Sequence, residues 1–141
     1  MREVMRAGSL YTAVAAGSAA GAVVRYLLSI GLLVALGPAF PWGTLAANGL
    51  GSFLMGLYAA LTRPGGRIAA SLVMRQLILA GFCGGFTTFS IFSLEALMLL
   101  ETGVYGLATI YAAGSLVVWL TAVWAGWRLG LTMNGRRSNS D

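Results

Sequence analysis

Four long apolar stretches dominate this chain and limit what it can fold into. Each is long enough to cross a bilayer as a helix, which takes about 20 apolar residues. Charged residues make up only 9% of the chain, against about 25% in soluble domains, so they are too few to cover a soluble globule. None of the stretches alternates apolar and polar residues as a membrane β-strand does. The sequence predicts an all-α membrane protein with four transmembrane helices, near residues 10–36, 42–62, 72–100 and 104–131.

The four spans account for most of the chain. We expect a single four-span membrane domain over residues 1–133, followed by a polar, disordered C-terminal tail at residues 134–141. Composition shows no second domain and no low-complexity tract.

The placement of the arginines predicts an orientation. Four spans put both termini and the connection between the second and third spans on one side of the membrane. The opposite side holds no arginine. The side with the termini holds eight of the nine: Arg2, Arg6, Arg63, Arg67, Arg75, Arg128, Arg136 and Arg137. Because positively charged loops stay in the cytoplasm, we expect an inner-membrane protein with cytoplasmic termini. These arginines flank apolar spans and form no soluble basic face, so we expect no nucleic-acid partner.

The residue types that are missing exclude several chemistries. The chain has no histidine and one cysteine, Cys83. A metal cage of protein side chains, a Ser–His pair and an intrachain disulfide all need residues that the chain lacks. No cofactor motif is visible, and we therefore expect that the protein is not an enzyme.

The third apolar stretch contains the most unusual segment, residues 81–95, with the sequence GFCGGFTTFSIFSLE. It carries a glycine pair, two threonines and two serines inside a predicted membrane helix. Glycine weakens helices, and lipid cannot satisfy free backbone groups. Unwound backbone at membrane depth persists only where it contacts protein, lines a cavity or holds an ion. We predict that the third helix is broken near its middle, at Gly84 and Gly85.

Small residues at four-residue spacing predict close packing of the helices. Four spans are also too few to enclose a water-filled path, so we expect a dimer or a larger assembly. The pairs are Gly17 and Gly21, Ala47 and Gly51, Gly81 and Gly85, and Gly126 and Gly130.

Polar side chains in the first two spans need partners. Arg25 lies inside the first span, where a charge costs about 2.5–3.5 kcal/mol, and it is either a structural arginine or a source of positive potential. Thr44, Asn48 and Ser52 share one face of the second span. The Asn48 amide has two N–H donors, which serve either to join helices or to line a polar path.

Phe89 and Phe92 share a face just after the predicted break, among Thr88, Ser90 and Ser93. Phenylalanines at this spacing usually pack in a core. The positive edges of two rings can also contact an anion, and the hydroxyl groups around them favour that second interpretation. Glu95 follows one turn later as an interfacial or water-facing carboxylate.

The fourth span adds Tyr111 and Ser115, whose hydroxyls lie one turn apart, with helix packing as the alternative interpretation. Trp119, Trp124 and Trp127 are interpreted mainly as packing residues or interfacial anchors. Donors therefore outnumber carboxylates inside the spans. Such a path suits a small, strongly hydrated anion, because donors must replace the lost water. The residue types do not identify the ion.

Three segments of the chain resemble the Fluc/CrcB family of fluoride channels. They are residues 21–26 (GAVVRY), residues 43–53 (GTLAANGLGSF) and residues 81–95. They occur in the right order and in the corresponding spans, and the third is long and specific. The resemblance covers essentially the whole chain. It implies passive, selective fluoride export through an antiparallel dimer with two pores.

The resemblance also implies roles for particular residues. Phe89 and Phe92 would line the fluoride path, and Asn48 would donate to fluoride with Thr44 behind it. Arg25 would draw anions into the vestibule. A track of hydroxyls would end near Glu95 and continue on the fourth span, formed by Thr88, Ser90, Ser93, Tyr111 and Ser115.

A structural Na⁺ at the dimer centre is a further implication of the resemblance. Main-chain carbonyls of the broken third helix, here those of Gly84 and Thr87, would hold the ion. Hard cations prefer oxygen ligands, and an unwound segment frees carbonyls to supply them.

Two features depart from the family pattern. Ile91 stands between the two phenylalanines where a small hydroxyl residue is common. The arginine bias predicts one orientation, whereas an antiparallel homodimer needs two. The chain therefore forms either a homodimer, which the complete set of pore elements favours, or a heterodimer with an oppositely oriented relative.

Two other functions remain open from the residues. A small four-span multidrug exporter that exchanges protons would need a carboxylate in the first span, where this chain has Arg25. A non-conducting subunit of a membrane complex would have no use for the polar segment of the third span.

Overall fold

The computed structural model describes the backbone of residues 2–138 and the side chains of residues 7–135. All regular structure within residues 2–138 is helical. The elements in chain order are α1 (Arg2–Leu36), α2 (Trp42–Leu61), α3 (Leu72–Gln76), a π-helical segment (Leu77–Cys83), α4 (Gly84–Phe86), α5 (Ser90–Glu101) and α6 (Tyr105–Ser138).

Four helical stretches are long and apolar enough to cross a membrane, which confirms the predicted number of spans. The third span consists of α3, the π-helical segment, α4 and α5 in succession. Each connection between spans contains one glycine with a positive φ, at Gly37, Gly65 and Gly103. The spans are Ala7–Leu36, Trp42–Leu61, Leu72–Glu101 and Tyr105–Gly135.

The first and third spans pack with their backbones in direct contact. A Cβ added at Gly21 would overlap the carbonyl oxygen of Phe82 and lie 2.7 Å from the amide nitrogen of Phe86. A Cβ at Gly85 would overlap the carbonyl oxygen of Ser18. The predicted small-residue contacts are therefore present between these helices, because only hydrogen fits in the space.

The second and fourth spans form the other close pair. A Cβ at Gly126 would overlap the carbonyl oxygen of Phe53 and lie 2.9 Å from the amide nitrogen of Leu57. Small residues thus hold the bundle together as two tightly packed helix pairs.

The third span is interrupted as predicted, but the predicted position of the break is wrong. Gly84 has helical dihedral angles (φ −64°, ψ −38°), and the helix continues through Phe86. The chain leaves helical geometry at Thr87 (φ −88°, ψ 158°) and resumes it in α5. The glycine pair stays within the helix, and Gly85 allows the close contact with Ser18.

The C-terminal boundary also differs from the prediction. Helix α6 continues to Ser138, into the segment predicted to be a polar, disordered tail. Asn134 belongs to the folded domain, because its Nδ2 donates to the carbonyl oxygen of Ala60 (2.8 Å) and its Oδ1 accepts from the Arg67 amide (2.7 Å). The rest of the predicted tail, residues 139–141, lies outside the described residues.

The predicted orientation remains a prediction. Of the eight arginines that suggest it, four have side chains outside the described residues: Arg2, Arg6, Arg136 and Arg137.

The contact between the first and third spans can be tested with Gly21→Ala and the matched variant Gly31→Ala. Nothing lies within 4 Å of a Cβ at Gly31, so that variant gains helix propensity of up to about 1 kcal/mol. Gly21→Ala forces two backbones apart, and we expect a large loss of folded protein. Size-exclusion profiles and thermal unfolding in detergent measure both. Equal stability of the two variants would show that the contact is wrong.

Candidate functional site

The Asn48 side chain holds the interruption in the third span. Its Nδ2 donates to the carbonyl oxygen of Thr88 (2.8 Å), and its Oδ1 accepts from the Thr88 amide (2.7 Å). Asn48 is buried. An unwound residue inside a membrane must find partners for both backbone groups, and a carboxamide offers a donor and an acceptor side by side. Asn48 therefore pairs with the third span and uses one of its two N–H donors to do so.

The hydroxyls around the interruption mainly complete the neighbouring helix ends. The Thr88 Oγ1 accepts from the Ile91 amide (3.2 Å) at the start of α5, and the Thr87 Oγ1 donates to the carbonyl oxygen of Cys83 (2.9 Å). The Ser93 Oγ donates to the carbonyl oxygen of Phe89 (2.9 Å). Of the five hydroxyls in the predicted track, those of Thr88 and Ser93 bind the backbone.

Glu95 joins the second, third and fourth spans. Its Oε1 accepts from the Thr44 hydroxyl (2.9 Å), and its Oε2 accepts from the Tyr111 hydroxyl (2.7 Å). Thr44 and Tyr111 are buried and Glu95 is half-buried. Thr44 was expected to lie behind Asn48, but its hydrogen bond goes to Glu95. The three side chains form one polar unit one turn after the phenylalanine pair.

The two phenylalanines lie together but in different surroundings. The ring centroids of Phe89 and Phe92 are 5.7 Å apart, with an angle of 45° between the rings. Phe92 is buried between the rings of Tyr111 (5.1 Å) and Trp119 (4.8 Å, edge-on). Phe89 is 71% exposed within the single chain.

Arg25 lies in a cavity of about 510 Å³ that also contains Thr44 and Glu95. Its Nε donates to the carbonyl oxygen of Gly85 (3.3 Å), which fixes the guanidinium against the third span. The cavity is lined further by Phe40 in the first connection and Thr102 after α5. It therefore opens at the end of the bundle opposite the connection that carries Arg63 and Arg67.

A second cavity of about 350 Å³ surrounds the interruption itself. It is lined by Gly84, Thr87, Thr88, Phe89, Asn48, Ser52, Met55 and Trp119. The Thr88 amide donates to Asn48, so it does not pair with the carbonyl oxygen of Gly84 as it would in a continuous helix. Within the part of the chain that the structure describes, no three His, Cys, Asp or Glu side chains come together. A cation here would depend on main-chain and hydroxyl oxygens.

Two donors on α6 lack partners among residues 7–135, whose side chains the structure describes. The Ser115 Oγ and the Trp119 Nε1 are buried atoms without a hydrogen bond. Ser115 was predicted to contribute to a path, whereas Trp119 was interpreted as a packing residue. The spacing of four residues, which puts both on one helix face, is the signal that could have grouped them.

Asn48→Ala tests whether this side chain holds the interruption. Loss of both hydrogen bonds leaves two backbone groups unpaired, at a cost of about 1–3 kcal/mol each. We expect amide hydrogen exchange in a peptide covering residues 87–93 to become about tenfold faster or more.

Asn134→Ala is the matched control, because Asn134 also binds one amide and one carbonyl group. In that variant, exchange should rise around Arg67 and stay unchanged at residues 87–93. Unchanged exchange at residues 87–93 in Asn48→Ala would contradict the assignment.

The chain matches a family of known membrane proteins. Residues 12–127 match the family model described as CrcB-like protein, Camphor Resistance (CrcB). A protein of Bradyrhizobium diazoefficiens named fluoride-specific ion channel FluC 1 is 48% identical over 124 residues, which cover 88% of this chain and 86% of the relative.

Two further relatives carry similar names. FluC 1 of Rhodopseudomonas palustris is 46% identical over 133 residues, 94% of either chain. FluC of Agrobacterium fabrum is 50% identical over 117 residues, which cover 83% of this chain and 92% of the relative. These proteins are named as ion channels and not as enzymes. The chain therefore belongs to the CrcB/Fluc family of membrane proteins.

Proposed function

We propose that this protein is a fluoride-selective channel that lets F⁻ leave the cytoplasm passively and so relieves fluoride toxicity. One observation carries the proposal. An interrupted membrane helix carries Phe89, which lines the cavity at the interruption, and Phe92, whose ring centroid is 5.7 Å from that of Phe89, in a chain whose named relatives are fluoride-specific ion channels.

The geometry supports a path along the third span. Phe92 contacts Trp119, which lines the cavity at the interruption, and Tyr111, which donates to Glu95 in the other cavity. We infer that an anion moving between the cavities passes the phenylalanine pair. Ring edges are electropositive and favour an anion without holding it as a full charge would. That balance suits conduction, because an ion must enter a site and also leave it.

Different polar groups line different parts of this proposed path. Asn48 and Thr88 line the cavity at the interruption, and the Ser90 hydroxyl lies 3.4 Å from that of Thr88. The hydroxyls of Ser93, Tyr111 and Ser115 continue this row of donors. The row ends near Glu95, which accepts a hydrogen bond from Tyr111. Ile91 replaces a hydroxyl in this row, but its amide binds Thr88 and keeps the turn in place.

Arg25 is a fixed source of positive potential in the cavity that it lines together with Thr44 and Glu95. Its hydrogen bond to the carbonyl oxygen of Gly85 holds the guanidinium at the wall of the cavity. Field lines concentrate in such a cavity, which raises the local concentration of anions. Glu95 in the same cavity is shielded by the two hydroxyls that donate to it.

An antiparallel dimer completes the path. Gly84, Phe89, Ser90 and Ser93 are exposed on one side of the third span in the single chain. Polar groups at membrane depth face protein or water and not lipid, so a partner subunit is needed over this surface. A second copy of the chain covers it in the proposed homodimer, and an oppositely oriented relative does so in the alternative heterodimer.

The residues present fit a structural Na⁺ at the centre of this dimer. The carbonyl of Gly84 is free of the Thr88 amide, and the extended dihedral angles of Thr87 turn its carbonyl out of the helix. Both residues line the cavity at the interruption. Na⁺ bound to these oxygens would join two subunits without any charged side chain.

Phe92→Ile and Phe89→Ile test the path. Isoleucine keeps an apolar side chain but removes the electropositive edge, and we expect each variant to lose most of its fluoride flux. A fluoride electrode on proteoliposomes measures the efflux, with chloride efflux as the selectivity control.

Phe53→Ile is the matched variant, because Phe53 lies in an apolar groove of α2 and α6 away from the interruption. It should conduct as the unchanged protein does. Normal fluoride flux in both path variants would rule out the role of the rings, and no flux in the unchanged protein would rule out the channel.

The homodimer can be tested by the orientation of the chain in cells. A cysteine added after Asp141 in a Cys83→Ala background reports where the C-terminus lies. Because one chain carries all the pore elements, we expect an impermeant maleimide to label part of the population in intact spheroplasts and all of it after permeabilisation. Complete protection in intact spheroplasts would exclude the homodimer and favour a heterodimer with an oppositely oriented relative.

A further inference from the structure

The unpartnered Trp119 indole nitrogen is the group that the proposed path leaves unexplained. The Nε1 atom is buried and has no hydrogen bond. A buried donor without an acceptor costs about 1–3 kcal/mol, and buried tryptophan N–H groups usually find a partner. The Ser115 hydroxyl one turn earlier has the same status and is only 1% exposed. Two donors one helical turn apart therefore have no acceptor among the described residues of the single chain.

The position of Trp119 indicates where an acceptor from outside the chain would lie. The ring lines the cavity at the interruption together with Asn48 and Thr88. It also meets the Phe92 ring edge-on, with centroids 4.8 Å apart and an angle of 74°. Trp119 thus lies at the point where an anion leaves the cavity and reaches the phenylalanine pair.

We propose that Trp119 donates its indole N–H to the permeating anion beside Phe92, and that this hydrogen bond replaces water which the ion loses there. This inference rests on the proposed fluoride path. A small anion accepts strong, short hydrogen bonds, and an indole offers one donor and no acceptor. It therefore selects an anion over a cation at this step.

Burial of the nitrogen sets how the site works. Because Nε1 is buried in the described structure, an ion that reaches it loses water on that side. Ser115 supplies a second donor one turn away on the same helix.

The flux experiment compares Trp119→Phe with Trp124→Phe. Phenylalanine keeps an aromatic ring against Phe92 and removes only the N–H group and part of the ring. We expect fluoride efflux from proteoliposomes to fall by about tenfold or more, as for the loss of one hydrogen bond to a charged group. Trp124 is 62% exposed, and its replacement should leave the efflux unchanged.

The binding experiment follows the indole N–H groups directly. The chain has four tryptophans, Trp42, Trp119, Trp124 and Trp127, and ¹⁵N-labelled protein in nanodiscs should give one indole cross-peak for each. Added fluoride should shift the Trp119 peak downfield, and chloride at equal concentration should not. The peak is assigned by its absence in Trp119→Phe or, if that variant does not fold, by elimination with the three other single variants.

The outcomes separate this inference from the proposed function. An unmoved Trp119 peak, or efflux in Trp119→Phe within twofold of the unchanged protein, would show that the indole only packs against Phe92. A moving peak in a protein that conducts no fluoride would retain the anion site and reject the channel. Reduced efflux together with a fluoride-specific shift supports both.

Discussion

The hydrogen bonds between Asn48 and the backbone of Thr88 are the interaction on which the rest of the site depends. Lipid offers no partner to an unwound residue, so without this side chain the amide and the carbonyl of Thr88 would be left unpaired inside the membrane. The interruption in turn starts α5 at Ser90 and sets the faces on which Phe92 and Glu95 lie. Asn48, which was expected to donate to the ion, thus binds the backbone of the interruption.

Two kinds of contact lie around the interruption in the third span. Backbone contacts at Gly21 and Gly85 leave the first and third spans no room to slide. Phe92, by contrast, contacts the rings of Phe89, Tyr111 and Trp119. In the proposed channel, an adjustment among these rings would let a small ion pass while the helix pair stays fixed.

Much of the fold was accessible from the sequence. Apolar length alone predicts four spans, and the glycine spacing predicts which faces touch. The position of the interruption was not accessible. The glycine pair suggests a break at Gly84 and Gly85, whereas the observed break at Thr87 and Thr88 depends on the tertiary contact with Asn48. Asn134 was misassigned for a similar reason: a polar residue near the end of a chain resembles a tail until its partners, Ala60 and Arg67, are known. The missing acceptor of Trp119 likewise depends on what surrounds it.

The π-helical segment Leu77–Cys83 has a consequence for comparing this chain with its relatives. A π-bulge amounts to one extra residue inside an α-helix. Removal of one residue there would restore an ordinary helix while α4 and everything after it kept the same rotational phase. Elsewhere in the third span a one-residue gap would rotate the side chains that follow it by roughly 100°, the angle per residue of a helix with 3.6 residues per turn. A one-residue difference at the π-helical segment therefore keeps α4 and α5 in phase with the start of the span, and what it changes is the backbone contact with Gly17 and Gly21.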